Sequence, residues 1–557
     1  MPAELLSSLT SEQVVTRSLL LRNAADFPER RFATYEDGSS WTHGDALIEA
    51  ARSANALRGS GVCRGDRVAI ILPNGPDFLR AWFGAALLGA TIVPINPALT
   101  GTLLARPFAL AQPSVTVVHP DYPGLSTLAE AELGGTVINP AALRHGPNAI
   151  PSLDGDIGLW EDEKLLLTSG TTGPSKLVRV PYLYGYWGYT TILLGENFGP
   201  GDVFQIDLPL FHTAALGYIN AALSTGSAIY VRARPALHNY WEIARDAQVT
   251  GAILISSMVS MMMAQPARPS ELEHRVRLLV MAPIPTDFDA FQRRFGVCTI
   301  LTSCGSTEAS TPIRGVARRG LDPSYCGEVV PGFEVRLVDE NDQEVPAGQT
   351  GEAIIRCSRP FAMSSGYVQD VAATAQAWRH GWFHTGDLLR QDANGRMHFV
   401  GRNKDVIRRR GENISAYEVE LALAGHDAVD EVACVPVPSD TGIEDEVKVF
   451  VVCKKGAIGE PVELMTHAYA PLAHHMVPRY FEFVDAIPKT NTGKPQKYLL
   501  CSQGNTDATW DREAHGFRVT RRGIERQVSD PCQCQTSWAP TFSIPQPTKD
   551  NCEPNHA

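Results

Sequence analysis

The sequence lacks any apolar run long enough to span a membrane. The longest candidate, residues 252–264, is shorter than the roughly 20 residues that a bilayer requires and is interrupted by serines. Residues 1–23 carry Glu4, Glu12 and scattered serines in place of a long apolar segment, so we expect no signal peptide. These features predict a cytoplasmic protein without a membrane span.

Regular cysteine spacing is also absent. The 11 cysteines are scattered, and none forms a pair of the zinc-knuckle kind. This pattern favours reduced thiols in an intracellular compartment. The sequence contains no internal repeats.

The sequence has fewer positively charged residues than negatively charged ones. The chain has 49 Lys and Arg against 61 Asp and Glu, which gives a formal net charge of −12. A protein with this balance attracts neither nucleic acid nor an anionic membrane surface. We therefore expect no nucleic-acid partner and no anionic-membrane partner.

The apolar content is sufficient for a large core. Hydrophobic residues make up 44% of the 557 residues, and this length predicts more than one domain. In the first third, helical patterns at 46–57 and 78–88 alternate with strand patterns at 68–72 and 91–95. This alternation predicts an α/β fold with a parallel sheet. Near the other end, we expect strands at 432–437 and 447–452 around a helix at 462–473.

A loop rich in glycine and hydroxyl groups follows the apolar residues 165–167. It consists of Thr168, Ser169, Gly170, Thr171, Thr172, Gly173, Pro174, Ser175 and Lys176. Glycines let backbone N–H groups converge on one point, and the lysine adds a positive charge, so the loop suits a polyphosphate. A flexible surface linker would not explain the terminal lysine or the strand before it. The Walker pattern does not fit, because it requires Gly-Lys-Ser/Thr.

A second motif carries a carboxylate after a tight turn. It reads Ser303, Cys304, Gly305, Ser306, Thr307 and Glu308. A carboxylate in this setting can hold a hydrated Mg²⁺ ion on ATP phosphates, and Thr307 can hydrogen-bond the α-phosphate. The alternative is an ordinary helix N-terminus with Glu308 in its first turn.

Further candidates lie downstream. Asp387, which we expect at a rigid turn, can accept hydrogen bonds from two vicinal ribose hydroxyls. The Asn394-Gly395 pair predicts a hairpin between 388–392 and 397–400. Lys494 follows a glycine in a turn and can present its ammonium group to developing negative charge. An exposed turn lysine is the alternative for this residue.

In this order, the motifs resemble those of the adenylate-forming superfamily, which includes acyl-CoA synthetases, luciferases and adenylation domains of peptide synthetases. The resemblance covers about residues 24–522. It implies an α/β fold with a large N-terminal domain of parallel or mixed sheets flanked by helices, 1–402, joined by a hinge to a small mobile α+β domain, 403–522. The composition after about residue 526 predicts a disordered tail, which we place at 523–557.

The resemblance also assigns roles. The ATP- and AMP-binding residues are Thr168, Ser169, Gly170, Thr171, Thr172, Gly173, Lys176, Cys304, Gly305, Ser306, Thr307, Asp387, Arg402 and Lys494. The acyl pocket is formed by His212, Thr213, Leu216, Met258, Met281, Ala282 and Ser303. The hinge and the CoA tunnel are formed by Lys404, Arg408 and Gly411. The catalytic residues are Lys494, Glu308, Thr168 and His212, and Glu308 is the metal ligand.

Some of these residues have simpler interpretations or depart from the family pattern. A lone histidine such as His212 is more often structural, and the methionines around Met258 are more often core filler. Cys304 stands where the family usually has an aromatic residue that packs on adenine. Met281 stands where a glycine is usual, which narrows the acyl pocket.

The resemblance implies that a carboxylic acid reacts with ATP and Mg²⁺ to give acyl-AMP, and that rotation about Lys404 then lets the thiol of CoA displace AMP. Within the superfamily, the sequence is most similar to crotonobetaine/carnitine-CoA ligases, through residues 94–96, 263–266, 408–415 and 510–513. Alternatives are an acyl-carrier protein or an amine as acceptor, or an inactive nucleotide-binding module. We expect a monomer or a homodimer.

Overall fold

The structure is a computed structural model of the chain. It describes residues 9–99, 101–122, 124, 135–168, 176–285, 287–403, 406–409, 412–439, 445–489, 493, 495–520 and 522–526. Residues 523–526 form a strand, so regular structure extends into the predicted tail, and the rest of that tail lies outside the described residues.

The strands are labelled in chain order. They are β1 (Arg31–Tyr35), β2 (Ser40–Thr42), β3 (Arg67–Ile71), β4 (Thr91–Pro94), β5 (Val115–Val118), β6 (Thr136–Ile138), β7 (Asp162–Leu167), β8 (Leu177–Pro181), β9 (Val203–Ile206), β10 (Ala228–Val231), β11 (Gly251–Leu254), β12 (Leu278–Met281), β13 (Thr299–Ser306), β14 (Ser310–Val316), β15 (Tyr325–Val329), β16 (Phe333–Val338), β17 (Thr350–Cys357), β18 (Phe383–Gln391), β19 (Met397–Arg402), β20 (Val406–Arg409), β21 (Glu412–Ser415), β22 (Val429–Pro438), β23 (Asp445–Cys453), β24 (Tyr480–Phe483), β25 (Trp510–Asp511), β26 (Phe517–Thr520) and β27 (Gly523–Arg526).

Helices connect most of the parallel strands. The α-helices are Ser11–Val14, Thr16–Asp26, His43–Gly59, Pro76–Leu87, Gly101–Ala111, Tyr182–Gly185, Thr191–Gly195, Thr213–Thr225, Tyr240–Asp246, Ser256–Met263, Phe288–Phe295, Val371–Ala377, Ala416–Ala424, Pro461–Tyr469 and Lys497–Gln503. Short 3-10 segments lie at Pro140–Arg144, Leu237–Asn239, Pro269–Leu272 and Arg379–Gly381, and a π-helical turn lies at Tyr186–Thr190. Among the residues described, no helix combines the length and apolar character needed to cross a membrane.

The first sheet has the strand order β6-β5-β3-β4-β7-β8. Strand β3 pairs in parallel with β4 and β5, which confirms the parallel sheet predicted from the alternating pattern. Strands β3 and β4 are mainly apolar, and the helix Pro76–Leu87 packs against them, where burying each large apolar side chain contributes about 1.5–3 kcal/mol. Among the described strand pairs of this sheet, β7 with β8 is the antiparallel one, and the others are parallel.

The larger sheet changes from parallel to antiparallel in its middle. In the described part of the chain its order is β16-β17-β18-β19-β15-β14-β13-β12-β11-β9-β10-β1-β2. Strand β13 pairs in parallel with β12 and antiparallel with β14. Likewise, β7 of the first sheet pairs in parallel with β4 and antiparallel with β8. The phosphate loop therefore follows a strand at which strand direction changes, and the second motif comprises the end of another such strand, β13, and the turn after it.

The C-terminal part has its own smaller sheet, β22-β23-β24-β25. The predicted strands in this part are confirmed, but β22 and β23 are antiparallel neighbours and no helix lies between them in the described residues. The helix Pro461–Tyr469 follows both strands because it connects β23 to the parallel strand β24. The helix Ala416–Ala424 contacts β19, where the rings of Phe399 and Tyr417 lie 5.4 Å apart.

Candidate active site

The two ends of the predicted phosphate loop are held together at the carboxyl end of β7. The Thr168 N–H donates to the Lys176 carbonyl oxygen over 2.9 Å, and the Lys176 N–H donates to Thr168 Oγ1 over 3.1 Å. The loop therefore leaves and rejoins the sheet at one point. Its other predicted ligands, Ser169, Gly170, Thr171, Thr172 and Gly173, lie outside the described residues.

Glu308 lies in the tight turn between β13 and β14. The alternative prediction, a helix N-terminus, is wrong, because the chain reverses into an antiparallel partner in which Ser306 faces Ser310. A Cβ atom on Gly305 would lie 1.9 Å from the Ser310 carbonyl oxygen, so only glycine fits this turn. The Ala309 N–H donates to Ser306 Oγ over 3.1 Å. Thr307 is half-buried in the same turn.

Tyr367 connects the phosphate loop to this turn. Its hydroxyl donates to Glu308 Oε1 over 2.9 Å, and its ring centroid lies 4.5 Å from Lys176 Nζ. The structure thus brings Lys176 and Glu308 to one side chain, although 132 positions separate them in the sequence. Sequence reasoning did not identify Tyr367, and the residues around it offered no signal, because a single tyrosine after a glycine is common in loops.

Asp387 pairs with the predicted arginine across two neighbouring strands. Asp387 in β18 lies opposite Arg402 in β19, and Arg402 Nε lies 2.8 Å from Asp387 Oδ1. The prediction of a turn at Asp387 is wrong, since the residue lies within a strand. The backbone is held instead by side-chain acceptors, since the Asp387 N–H donates to Thr385 Oγ1 over 3.0 Å and the Gly386 N–H donates to Glu352 Oε1 over 2.9 Å.

One cleft joins the second and third motifs. It is lined by Cys304, Gly305, Ser306, Ala309, Ile313, Ala353, Ile355, Thr385, Asp387 and Leu389. Its lining is apolar apart from a few polar groups on the turn and at Asp387.

Cys304 lines the cleft and contacts a second thiol. A hydrogen bond with Cys326, followed by burial and the nearby Asp387 charge, raises the pKa of the Cys304 thiol well above its usual value. Both cysteines are free. The thiol is consequently protonated and weakly nucleophilic at neutral pH.

The predicted acyl residues are more dispersed. The Tyr189 hydroxyl donates to Thr213 Oγ1, Thr213 donates to the Tyr184 hydroxyl, and Tyr184 donates to the Ser306 carbonyl oxygen, each over 3.3 Å. This chain of hydroxyls connects Thr213 to the Glu308 turn. His212 immediately precedes the helix Thr213–Thr225, and its ring lies 4.7 Å from that of Phe211. The preceding strand, β9, ends at Ile206.

Other acyl candidates do not line the cleft. Leu216, Met258 and Met281 are buried in apolar clusters, and Ala282 is exposed just beyond β12. The core-filling interpretation is confirmed for Met258 and Met262, which are 4% and 2% exposed, and is wrong for Met261, which is 55% exposed. Ser303 is half-buried in β13, opposite Arg314. A pocket role for these residues stays a prediction.

In the C-terminal part, only part of the predicted set can be placed. Arg408 lies in β20, opposite Asn413 in β21. Lys404, Gly411 and Lys494 lie outside the described residues. The chain on either side of Lys494 approaches itself, since Lys489 and Pro495 form an antiparallel bridge.

The model of the AMP-binding enzyme family matches residues 20–368, and the model of the AMP-binding enzyme C-terminal domain matches residues 418–494. The chain belongs to the AMP-binding enzyme family, which confirms the resemblance drawn from its motifs.

Curated relatives include crotonobetaine/carnitine–CoA ligases of Salmonella. The protein from Salmonella paratyphi A is 31% identical over 480 residues, which cover 80% of this chain and 90% of the relative. The protein from Salmonella typhi is 30% identical over the same shares. These relatives bear out the predicted likeness to this group of acyl-CoA ligases.

Solved structures share the fold. ATP-bound MatB from Rhodopseudomonas palustris superposes with a TM-score of 0.79 at 24% identity, covering 87% of this chain and 98% of that one. The O-succinylbenzoate Coenzyme A synthetase MenE from Bacillus subtilis, in complex with ATP and magnesium ion, gives a TM-score of 0.77 at 22% identity, covering 86% and 98%. The predicted α/β class with a smaller C-terminal part is confirmed.

Proposed function

We propose that the protein is an ATP-dependent acid–thiol ligase. It joins a carboxylic acid to the α-phosphate of ATP, which releases pyrophosphate, and then transfers the acyl group from acyl-AMP to the thiol of CoA, which releases AMP. The observation that carries this proposal is the convergence of Lys176 and Glu308 on Tyr367, beside a cleft that ends at the Asp387–Arg402 pair. Membership of the AMP-binding enzyme family and the CoA-ligase relatives support it.

The nucleotide roles follow from charge and position. Asp387, buried to 5% exposure and fixed by Arg402, accepts hydrogen bonds from the ribose hydroxyls. Cys304 and the backbone of Gly305 and Ser306 border the base. Thr168 and Lys176, together with the glycines and hydroxyls of the 168–176 loop, bind the β- and γ-phosphates.

The site fits a Mg²⁺ ion held mainly by the substrate. In the described residues there is no group of three or more His, Cys, Asp or Glu side chains that could hold a metal ion alone. Glu308 offers one carboxylate, and Mg²⁺ commonly binds one or two carboxylates together with substrate phosphates and waters. When bound there, Mg²⁺ neutralises phosphate charge. Glu308 Oε1 already accepts the Tyr367 hydroxyl, which fixes the orientation of the carboxylate.

The C-terminal part supplies the residues that differ between adenylation and thioester formation. Lys494 stabilises the charge that develops between the acid and the α-phosphate during adenylation. Rotation about Lys404 then withdraws Lys494 and brings Arg408 and Gly411 toward the CoA tunnel. These two arrangements of the C-terminal part let one cleft stabilise two transition states. The proposed boundary between the domains lies between residues 402 and 403.

On the acyl side, we assign His212, Thr213, Leu216, Met258, Met281, Ala282 and Ser303 to binding of the acid. The hydroxyl chain from Thr213 to Ser306 supports a position for the acid beside the Glu308 turn. We place the enzyme in the cytoplasm, as a monomer or homodimer, and the free state of the described cysteines supports a reducing compartment.

The test is product analysis across a panel of carboxylic acids, with and without CoA. We expect acid-dependent formation of AMP and pyrophosphate in equal amounts, and an acyl-CoA product when CoA is present. Release of ADP and phosphate would contradict the proposal. Turnover that needs a phosphopantetheine carrier protein or an amine in place of CoA would change the acceptor, and ATP binding without turnover of any acid would indicate an inactive module.

A further inference from the structure

The segment 364–368 attaches the strand after the phosphate loop to the Glu308 turn. The Ser364 N–H donates to the Glu308 carbonyl oxygen over 2.9 Å. On the other side, the Arg179 N–H donates to the Gly366 carbonyl oxygen over 2.9 Å, and the Val368 N–H donates to the Leu177 carbonyl oxygen over 2.8 Å. The segment therefore runs along β8 as a partial strand whose start is fixed to the turn.

Tyr367 is the side chain of this segment that reaches both motifs. Its backbone N–H donates to Thr374 Oγ1 over 3.0 Å, and its ring lies edge-on to Trp378 with centroids 5.7 Å apart. These contacts fix the ring. The hydroxyl donates to Glu308 Oε1, and Lys176 Nζ lies over the ring, 4.5 Å from its centroid.

The hydroxyl of Tyr367 is the donor in its contact with Glu308, because a carboxylate oxygen only accepts hydrogen bonds. A cation–π contact is weaker than an ion pair with phosphate, so Lys176 can leave the ring when a polyphosphate arrives.

We propose that Tyr367 is a positioning residue. Its hydroxyl orients the Glu308 carboxylate toward Mg²⁺, and its ring holds the Lys176 ammonium group beside the phosphate site until ATP binds. The inference rests on the proposed function, because it assumes that Glu308 and Lys176 meet the phosphates of ATP. In this proposal the Tyr367 hydroxyl affects Mg²⁺ binding through Glu308, and the Tyr367 ring affects the position of Lys176. Two substitutions can therefore separate these effects.

Tyr367→Phe removes only the hydroxyl. We expect calorimetric titration with ATP to show unchanged affinity in EDTA and a loss of about 10-fold in the affinity gained on adding Mg²⁺, the size expected for one hydrogen bond to a charged group. The Mg²⁺ concentration for half-maximal pyrophosphate release should rise by a similar factor. Tyr367→Leu removes the ring as well, so ATP affinity should change in EDTA too.

A matched control is available at Tyr325. Its hydroxyl donates to Glu328 Oε1 over 2.8 Å, a tyrosine–glutamate contact of the same kind on a strand that does not line the cleft. Tyr325→Phe should leave the Mg²⁺ increment unchanged. An equal loss in Tyr325→Phe and Tyr367→Phe would overturn the proposal, and so would a Mg²⁺ increment of wild-type size in Tyr367→Phe.

A double variant tests the route through Glu308. Adding Tyr367→Phe to Glu308→Gln should remove no more of the Mg²⁺ increment than Glu308→Gln alone, because both act through one carboxylate. Additive losses would overturn the proposal. A wild-type protein that binds Mg·ATP but forms no acyl-AMP from any acid would contradict the proposed function, while the binding titrations would still decide the role of Tyr367.

Discussion

The nucleotide side and the acyl side of the site differ in how tightly the fold joins their residues. On the nucleotide side, Lys176 and Glu308 meet at Tyr367, and Asp387 pairs directly with Arg402. On the acyl side, Thr213 is linked to the turn by hydroxyls, while Met258 and Met281 lie in an apolar cluster.

This difference reflects what each part of the substrate demands. Phosphates and a ribose require charges and hydrogen-bond partners at fixed places, and such residues form recognisable motifs. An acyl group requires only a space of the right size, which many combinations of apolar side chains can provide. Substitutions on the nucleotide side should therefore change ATP kinetics, whereas those on the acyl side should change the choice of acid.

The largest effect is expected at Lys494. Lys494→Ala should lower adenylation by about 100- to 1,000-fold, because it removes a charge that stabilises the transition state. Thioester formation from supplied acyl-AMP should be spared, and rapid-quench assays of each half-reaction measure both. The control is Lys489→Ala, a nearby lysine that pairs with Glu431. Equal losses in both half-reactions would contradict the domain-rotation model.

Asp387 should give the next largest effect. Asp387→Asn weakens two hydrogen bonds to ribose. The Michaelis constant for ATP should therefore rise by about 10- to 100-fold, the size expected for the loss of one charge-assisted partner. Steady-state kinetics at saturating acid measure it. Asp392→Asn, in the hairpin turn of the same two strands, should match the wild type. A Michaelis constant for ATP that does not change in Asp387→Asn would remove this carboxylate from the nucleotide site.

Cys304 should give a smaller effect of opposite sign. Cys304→Tyr adds an aromatic ring beside the base, and stacking contributes about 0.5–1.5 kcal/mol, so the Michaelis constant for ATP should fall about 2- to 12-fold. An unchanged constant would mean that the base does not approach this residue.

The thiol of Cys304 offers a pH test of the same position. Because its pKa is raised, less thiolate is present at pH 7–8 than in an ordinary thiol, and alkylation should be slow and accelerate as the pH rises. The exposed Cys298 serves as the internal reference in mass spectrometry of iodoacetamide-treated protein. ATP should protect Cys304 and leave Cys298 unaffected. Alkylation of Cys304 as fast as that of Cys298 would contradict the shielded thiol.

The smallest effect on ATP kinetics is expected at Met281. Met281→Leu nearly conserves volume, so it should cost less than about 1.5 kcal/mol of unfolding free energy and leave the Michaelis constant for ATP within about 2-fold. The ratio of kcat/KM between long and short acids should change. Met262→Leu, in the same apolar cluster, is the control. Identical acid preferences in both variants would place Met281 in the core alone.

Sequence patterns anticipated the fold where they were periodic. The buried strands β3 and β4 and the hairpin at Asn394 appeared as predicted, because apolar runs and turn residues act locally. Asp387 was placed in a turn because a glycine precedes it, yet the strand continues through Gly386, whose positive φ is compatible with pairing on either side. The antiparallel return of β14 after Glu308 could not be predicted from the neighbouring residues, which are equally compatible with the start of a helix.

The contact of Tyr367 with Lys176 and Glu308 depends on tertiary structure. It arises because segment 364–368 pairs with β8 while its first residue hydrogen-bonds to the Glu308 turn. Neither pairing leaves a local pattern in the sequence. Leu216 and Met281 likewise belong to apolar clusters because of the way helices and sheets pack together. The spacing of residues in the sequence does not determine that packing.

Acid-dependent exchange of labelled pyrophosphate into ATP, measured without CoA, tests the adenylation step most directly. We expect exchange only when a suitable acid and Mg²⁺ are present, with loss of exchange in Lys494→Ala and normal exchange in Lys489→Ala. Exchange that requires CoA, or AMP and pyrophosphate formed without any reversible exchange, would contradict an acyl-AMP intermediate in this cleft.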